Sequence, residues 1–465
     1  MDEADAGADG ADAVTFGTDG WRAPLSEFTT PRVRMVGQAV ADHLADAGVA
    51  GPVAVGYDAR ESSPGFADAL ADVLAANGRD VLLARRDCPT PTVAWAVVER
   101  DLAGALMVTA SHNPPSDNGV KFIPDDGAPA LPAVTASIEA RLAEPSSPVA
   151  DPGAVRAVDF VGPHADHVLD LVGADLSGLS VVYDAMHGSG RGVTDALLAR
   201  AGADVTRRRC ASDPDFGGTS PEPSAENLAG LVEAVREAGA DLGVANDGDA
   251  DRVAVVTPGG FLDENLLFAA LYDHLLADDA GPAVRSVSTT FLVDRVAAAH
   301  GETTVEVPVG FKWVAKAMAE HDALLGGEES GGFSVRGHVR EKDGVLTALL
   351  AAAAAAEEPL EDRVARLLDE HGEVHQAKVS VDCPDAEKRA TIDALADAIP
   401  DAVAGVPVES VNDADGFKLL LEDGSWVLVR PSGTEPKLRV YAEAESAARA
   451  DELTGAGRDL VASVR

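Results

Sequence analysis

The sequence predicts an α/β protein built from three consecutive α/β domains with mixed sheets, followed by a smaller C-terminal α+β domain. Its 465 residues are too many for one ordinary hydrophobic core. Short apolar strands alternate with alanine-rich helical segments through most of the chain, a pattern typical of α/β layers. Residues 376–465 differ, because strand-like runs outnumber helices there, as in an α+β domain.

The predicted elements follow one another in chain order. The strands of the three α/β units are short apolar runs at 53–57, 80–84, 180–184, 204–209, 242–247, 253–257, 285–290 and 303–309. The helices between them are alanine-rich and lie near 64–77, 190–201 and 292–299. The strands of the last unit are carried by "AKVSVDC", "GFKLLLEDG", "SWVLVRPS" and "LRVYAEA".

Linkers are indicated near 144–153, 258–260 and 369–375. With the element order, they predict an acidic tail and four domains. The tail is 1–13, and the domains are 14–150, 151–258, 259–372 and 373–465.

The composition limits the classes of partner. The net charge is −41, and the acids are spread along the whole chain, as in proteins that stay soluble in strong salt. We therefore expect a halophilic protein that does not bind nucleic acid, since its charge would repel phosphate backbones. No apolar run approaches the roughly 20 residues that span a bilayer, and the N-terminus lacks the basic and apolar regions of a signal peptide. We expect a cytoplasmic protein without a membrane partner.

Three strand-like segments run directly into polar loops. They are "ALMVTASHNPP", "LGVANDGDADR" and "ALLGGEESGG". In open α/β sheets, binding sites form where strands end at their carboxyl edge. The three loops are therefore predicted to converge on one central cleft.

The second loop places carboxylates at alternating positions, Asp247, Asp249 and Asp251. Their mutual repulsion favours a compensating cation, and an oxygen cage suits Mg²⁺. A calcium loop is excluded, because its Gly and Glu positions hold Arg252 and Pro258. The alternative is an acidic surface turn.

The third loop, "GGEESGG", combines flexible glycines with Glu328 and Ser330, which can accept hydrogen bonds from sugar hydroxyls. Its continuation, "RGHVREKDG", brings His338 and Lys342. The alternative is a flexible surface loop.

The segment "RPSGTEPKLRVY" offers guanidinium groups, hydroxyls and loop amides, as in an anion-binding site for phosphate. These candidates are Arg430, Ser432, Gly433, Thr434 and Arg439. No nucleotide P-loop pattern is present. The alternative is a hairpin turn with incidental charges.

Ser111 and His112 are adjacent, so their side chains usually diverge, which argues against a triad-type nucleophile. No G-x-S-x-G motif surrounds the serine either. A serine, a Mg²⁺ site and a phosphate site together favour phosphoryl transfer, in which positioning and charge neutralisation do most of the catalysis.

The motifs "TASHNP", "DGDADR", "GEESGG" and "RPSGTEPKLRVY", in this order, resemble the α-D-phosphohexomutase family of the phosphoglucomutase/phosphomannomutase type. The resemblance covers the chain from "FGTDGWRA" onwards, and the acidic composition suggests a haloarchaeal member. The family implies four domains around a central cleft, Mg²⁺ held by Ser111 with the three aspartates, and a hexose phosphate as the small-molecule partner of a monomer or dimer.

The resemblance also implies roles for individual residues. Ser111 would carry the phosphoryl group that passes to a sugar hydroxyl, with glucose 1,6-bisphosphate as intermediate and activator. The five phosphate-loop candidates, together with Arg252, Glu328 and Ser330, would bind substrate. The remaining catalytic candidates are Arg22, His112, Lys121, His338 and Lys342, and the proton-transfer group among them stays open.

The sugar is expected to be glucose, because "EESGG" followed by "RGHVREKDG" looks like the glucose-phosphate members. Many phosphomannomutase members have His where this chain has Gly332, and phosphoglucosamine mutases commonly have Gln at Glu329. Both of these remain alternative activities. A Mg²⁺-dependent sugar phosphatase and a catalytically silent sugar-phosphate-binding protein are the alternatives from other classes.

Overall fold

The computed structural model describes residues 14–17, 19–433 and 435–465. The predicted acidic tail 1–13 and Thr434 lie outside the described residues. The described chain forms three α/β layers with mixed sheets and a C-terminal antiparallel sheet, so the predicted fold class is confirmed.

The first sheet has six strands in the order β1-β5-β4-β2-β3-β6. They are β1 (Trp21–Pro24), β2 (Val53–Tyr57), β3 (Val81–Ala84), β4 (Gly104–Val108), β5 (Asp117–Ile123) and β6 (Val155–Val158). The helices are α1 (Thr30–Asp46), α2 (Ser63–Ala76), α3 (Thr90–Glu99) and α4 (Pro132–Glu139). Helices cover both faces of this sheet, so the central strand β4 is buried on both sides and its residues form a continuous apolar run. Strand β6 lies beyond the predicted boundary at residue 150 and pairs with β3 of this sheet.

The second sheet has the order β11-β10-β9-β7-β8. Its strands are β7 (Ser180–Asp184), β8 (Asp204–Arg208), β9 (Leu242–Asn246), β10 (Val253–Thr257) and β11 (Gly260–Leu262). Its helices are α5 (Val161–Val172), α6 (Thr194–Arg200) and α7 (Ala229–Ala238). Strands β7, β8 and β9 are parallel, and the hairpin β10–β11 adds an antiparallel edge.

The third sheet has the order β13-β12-β14-β15, with only β15 antiparallel. Its strands are β12 (Ala283–Ser286), β13 (Thr304–Val307), β14 (Leu325–Gly327) and β15 (Phe333–Val335). Its helices are α8 (Glu264–Leu276), α9 (Leu292–Ala299), α10 (Phe311–His321), α11 (Gly344–Glu357) and α12 (Leu360–His371). Helix α11 is apolar all round and buried, since it packs in one core with residues of the second and third layers.

The C-terminal sheet is antiparallel, in the order β16-β21-β20-β19-β18-β17. Its strands are β16 (His375–Asp382), β17 (Ala402–Val403), β18 (Val406–Asn412), β19 (Phe417–Leu421), β20 (Trp426–Pro431) and β21 (Lys437–Ala444). Two helices, α13 (Asp385–Ala396) and α14 (Ala447–Ser463), pack on it. No helix among the described residues is long and apolar enough to cross a membrane.

Candidate active site

All four layers contribute to one cleft of about 750 Å³. The sequence-predicted residues that line it are Arg22, His112, Arg252, Glu328, Ser330, Lys342, Arg430, Ser432, Gly433 and Arg439. The predicted residues Ser111, Lys121, Asp247, Asp249 and Asp251 are buried and contact one another beside it. The polar loops that follow β4, β9 and β14 thus meet, as their position at strand ends implied.

Ser111 follows β4 in a left-handed backbone conformation, with φ 51°, which is uncommon for a residue other than glycine. Its Oγ donates to Asp247 Oδ2 at 2.7 Å, and its amide donates to Thr109 Oγ1 at 2.8 Å. The buried Arg60 guanidinium donates to the Ser111 carbonyl at 2.8 Å and is paired with Asp58 at 2.9 Å. Arg60 therefore fixes the loop that presents the serine, a role that sequence reasoning missed.

The three predicted metal ligands, Asp247, Asp249 and Asp251, are fully buried, and their carboxylates lie within 4.8 Å of one another. Asp249 Oδ1 and Asp251 Oδ1 have no hydrogen-bond partner among the described residues. Buried carboxylate oxygens without a donor are costly, and a hard cation satisfies them. The donor set therefore fits Mg²⁺.

The loop that follows β9 (residues 247–252, the aspartate loop) lies in close contact with the loop that follows β4 (residues 109–116, the serine loop). A Cβ on Gly248 would lie 2.5 Å from the Ser111 carbonyl oxygen, so only glycine permits this approach. Burial, and then repulsion from the two neighbouring aspartates, raises the pKa of Asp247 well above its ordinary value. Asp251 behaves in the opposite way: burial raises its pKa, but Lys121, Lys342 and Arg252 together hold it below the usual range.

Two ammonium groups balance these carboxylates. Lys121 Nζ, on β5, lies 2.9 Å from Asp19, 3.3 Å from Asp249 and 2.9 Å from Asp251. Lys342 Nζ lies 3.3 Å from Asp19 and 3.0 Å from Asp251. Burial lowers the pKa of each lysine, but the carboxylates outweigh it and raise both pKa values. Both side chains are therefore cationic and suited to neutralise charge.

His112 Nδ1 lies 3.3 Å from Ser111 Oγ. The Arg252 guanidinium, with burial and Arg22, lowers the pKa of His112 to about 2, so its imidazole is neutral. Arg22 lies 3.4 Å from Asp19 at the cleft wall. His338 belongs neither to the described lining of the cleft nor to the buried group around Ser111, and it bonds to Asp343 at 2.8 Å instead.

The loop after β14 presents carboxyl groups to the cleft. Glu328 Oε1 accepts from the Gly310 amide at 2.7 Å, and burial, with repulsion from Glu329, raises the Glu328 pKa to about 7. Glu264, the first residue of α8, also lines the cleft, and burial raises its pKa to about 7. A Cβ on Gly332 would lie 2.5 Å from Lys342 Cδ, so the absence of a side chain here makes room for Lys342.

Residues of the predicted phosphate loop also line the cleft. Arg430, at the end of β20, donates through Nε to Asp415 Oδ2 at 2.8 Å, which fixes its guanidinium where it lines the cleft. Asp415 also accepts from the Val309 amide at 3.2 Å and so connects the third and fourth layers. Lys388 on α13 donates to the Ser432 carbonyl at 2.7 Å and braces the loop.

Several residues of the cleft were missed or left without a role by the sequence reasoning. They are Asp19, Glu222, Glu264, Lys312, Lys378 and Tyr441. Asp19 lies in "FGTDGWRA", and Lys312 in "VGFKW", where an isolated acid or base gives no signal by itself. Lys378 stands on β16, whose alternating pattern shows only a strand.

Comparison with known proteins places the whole chain among sugar-phosphate mutases. Models of phosphoglucomutase/phosphomannomutase match in order: α/β/α domain I at 13–148, domain II at 163–260, domain III at 263–371 and the C-terminal domain at 379–458. A phosphoglucosamine mutase of Synechococcus sp. is 37% identical over 96% of this chain and 94% of that protein. A phosphopentomutase of Thermococcus kodakarensis is 36% identical over 94% and 95%.

A solved structure shows the same architecture. The crystal structure of a Thermus thermophilus protein assigned as a phosphomannomutase has a TM-score of 0.83 and 32% identity. The match covers 97% of this chain and 99% of that one.

Proposed function

Because the chain belongs to the phosphoglucomutase/phosphomannomutase family of the phosphohexomutase superfamily, we propose that it interconverts glucose 1-phosphate and glucose 6-phosphate. The reaction would proceed through phosphorylated Ser111 and a bisphosphorylated sugar. Family membership agrees with the predicted resemblance, while the haloarchaeal origin, the halophilic character and the cytoplasmic location stay predictions.

One observation carries the proposal: Ser111 Oγ lies 2.7 Å from the Asp247 carboxylate, beside a cleft that Arg430 and Arg439 also line. A phosphatase needs one phosphate site, whereas a mutase needs a second one for the phosphate that is not reacting. The guanidinium groups suit that second phosphate.

The transfer breaks the bond between Ser111 Oγ and phosphorus, the oxygen of the attacking sugar hydroxyl forms the new bond to phosphorus, and the proton of that hydroxyl ends on Ser111 Oγ. Mg²⁺, held by Ser111 and the three aspartates, would neutralise negative charge on the phosphoryl group. Lys121 and Lys342 supply fixed positive charge beside the same atoms. After the bisphosphate has turned round, Ser111 takes the other phosphate, so that glucose 1,6-bisphosphate serves as intermediate and activator.

The sugar assignment rests on the loop after β14. Glu328 and Ser330 line the cleft, where their oxygens can accept hydrogen bonds from sugar hydroxyls. Two relatives are named for other substrates, one as a phosphoglucosamine mutase and one as a phosphopentomutase. Phosphoglucosamine and phosphomannose substrates therefore remain the alternatives within this function.

The test is a substrate panel. Purified protein with Mg²⁺ and a trace of glucose 1,6-bisphosphate is given the 1-phosphates of glucose, mannose, glucosamine and ribose, and the products are identified. Glucose 6-phosphate should form fastest. Ser111→Ala should abolish turnover and the phosphoprotein mass, whereas Ser116→Ala, an exposed serine of the same loop, should change neither. Faster turnover of another sugar would overturn the glucose assignment, and free phosphate as the main product would indicate a phosphatase.

A further inference from the structure

A partly buried cluster of imidazoles lies outside the described lining of the cleft. His338 Nε2 and His164 Nε2 both approach Asp343 Oδ2, at 2.8 and 2.6 Å. His167 Nε2 lies 3.0 Å from His338 Nδ1, and its ring stacks between those of Trp95 and His338, with centroid distances of 5.3 and 5.2 Å. The cluster joins α3, α5 and the loop before α11, so it lies where the first three layers meet.

The distances define where the protons are. A carboxylate oxygen only accepts, so both Nε2 atoms must donate to Asp343. Burial lowers the pKa of His338, so its imidazole is neutral; with the proton on Nε2, its Nδ1 accepts from His167 Nε2. Asp343 remains ionised, because the two imidazoles lower its pKa although burial raises it. Ligands around a transition metal at about 2.0–2.2 Å would stand further apart than these hydrogen-bonded atoms, so the contacts indicate protons rather than a cation.

The Asp343 carboxylate has two separate functions. Its Oδ1 accepts from the amides of Val345 and Leu346, both at 2.8 Å, and so caps α11. Its Oδ2 accepts from the two imidazoles. Removing an imidazole therefore loosens the carboxylate while the helix cap stays available, which separates positioning from helix stability.

Asp343 is the next residue after Lys342. The Lys342 stem passes over Gly332, with its Cγ 2.8 Å from the position of an added Cβ, and its ammonium reaches Asp19 and Asp251. On the other side, the Gly344 amide donates to the Ala250 carbonyl at 3.1 Å. The backbone of Lys342 is thus held between the aspartate loop and the imidazole cluster.

We propose that His164 and His338, acting through Asp343, are positioning residues that hold the Lys342 ammonium against Asp251. The expected effect of the two histidines on the reaction rate rests on the proposed mutase function, whereas their expected effect on the position of Lys342 does not. Neither histidine belongs to the described lining of the cleft, so their effect on the reaction passes through Lys342.

Two variants at one position test this. His164→Gln keeps an N–H donor for Asp343, and His164→Phe removes it at similar volume. Since misplacing a group by ~1 Å can lower a rate by about 100-fold, His164→Phe should lower kcat at least about 10-fold and leave KM within about 2-fold. His164→Gln should stay within about 3-fold of wild type. His338→Leu, which removes the other donor, is the second variant if His164→Phe does not fold.

Crystal structures of the wild type and His164→Phe give a readout that does not depend on activity. The distance from Lys342 Nζ to Asp251 Oδ2, 3.0 Å in the wild type, should exceed hydrogen-bonding distance in the variant. If the wild type turns over no sugar phosphate, the proposed function fails, and this distance still decides the positioning role. An unmoved lysine, or equal kcat losses in both variants that follow their melting temperatures, would overturn the inference. Stoichiometric binding of Co²⁺ that is lost in His164→Phe would overturn it in favour of a metal site.

Discussion

A single residue, Lys121, compensates much of the negative charge buried beside the cleft. Its side chain is 3% exposed, and its ammonium contacts three carboxylates, Asp19, Asp249 and Asp251. Removing one partner of a buried ion pair leaves the other charge uncompensated, which is far more costly than losing an exposed pair.

We therefore expect Lys121→Met to lower the free energy of unfolding by about 3 kcal/mol in the absence of Mg²⁺, as measured by urea denaturation. Lys316→Met is the matched control, because Lys316 is 50% exposed and pairs with Glu320 at 3.8 Å. Its effect should stay below about 0.5 kcal/mol. Mg²⁺ should stabilise Lys121→Met more than the wild type. Equal stabilisation would mean that Lys121 and the ion do not share these carboxylates.

Glu341 gives a pH dependence of stability. Burial raises its pKa from the ordinary 4.5 to about 8, with Lys342 opposing and Asp19 reinforcing the shift. Between these values the folded chain holds a proton that the unfolded chain has lost. By linkage, this group makes the folded state less stable as pH rises from about 4.5 to 8.

Glu341→Gln removes this titration. The free energy of unfolding of Glu341→Gln minus that of the wild type should therefore increase from pH 5 to pH 8. Denaturant unfolding at four or five pH values measures it, with the exposed Glu237→Gln on α7 as control. A difference that does not change with pH would show that Glu341 ionises in the folded protein as it does in the unfolded one.

At the scale of elements, the start of α11 lies directly against the aspartate loop. A Cβ on Gly344 would lie 2.2 Å from the Arg252 carbonyl oxygen and 2.7 Å from Asn246 Nδ2. Backbone cannot yield as a flexible side chain can, so the helix would have to move away from the loop. The absence of a side chain at Gly344 thus allows the start of α11 to lie directly against the aspartate loop.

Gly344→Ala should lower the free energy of unfolding by about 2 kcal/mol, because overpacking of this kind costs roughly 1–3 kcal/mol. It should also weaken Mg²⁺ binding, measured by calorimetry, since the aspartate loop is displaced. Gly455→Ala on α14 is the opposite case: its Cβ would meet no described atom within 4 Å. Alanine favours the helix there and should stabilise by up to about 1 kcal/mol. A Gly344→Ala protein as stable as the wild type would contradict the close contact.

For the whole molecule, the sequence predicts features whose cause is local. Ser111 and the alternating aspartates follow apolar strands, so both their chemistry and their place at a sheet edge could be predicted. The role of Asp19 could not be predicted, because it depends on an ion pair with Lys121, more than one hundred residues away in the chain. The same holds for His338, which bonds to His167 on α5 and does not belong to the described lining of the cleft, and for β6, whose pairing with β3 crosses a predicted domain boundary.

The net charge of −41 acts on the molecule as a whole and gives the last prediction. Like charges on a compact chain repel one another, and salt shortens the range of that repulsion from about 10 Å at 0.1 M to about 3 Å at 1 M. The free energy of unfolding should therefore rise with KCl between about 0.1 and 2 M, measured by urea denaturation at pH 7.5. NaCl should give the same slope, because screening depends on ionic strength, whereas selective cation binding would separate the two salts. A free energy that is constant or falls with both salts would mean that dispersed repulsion does not limit the stability of the folded chain.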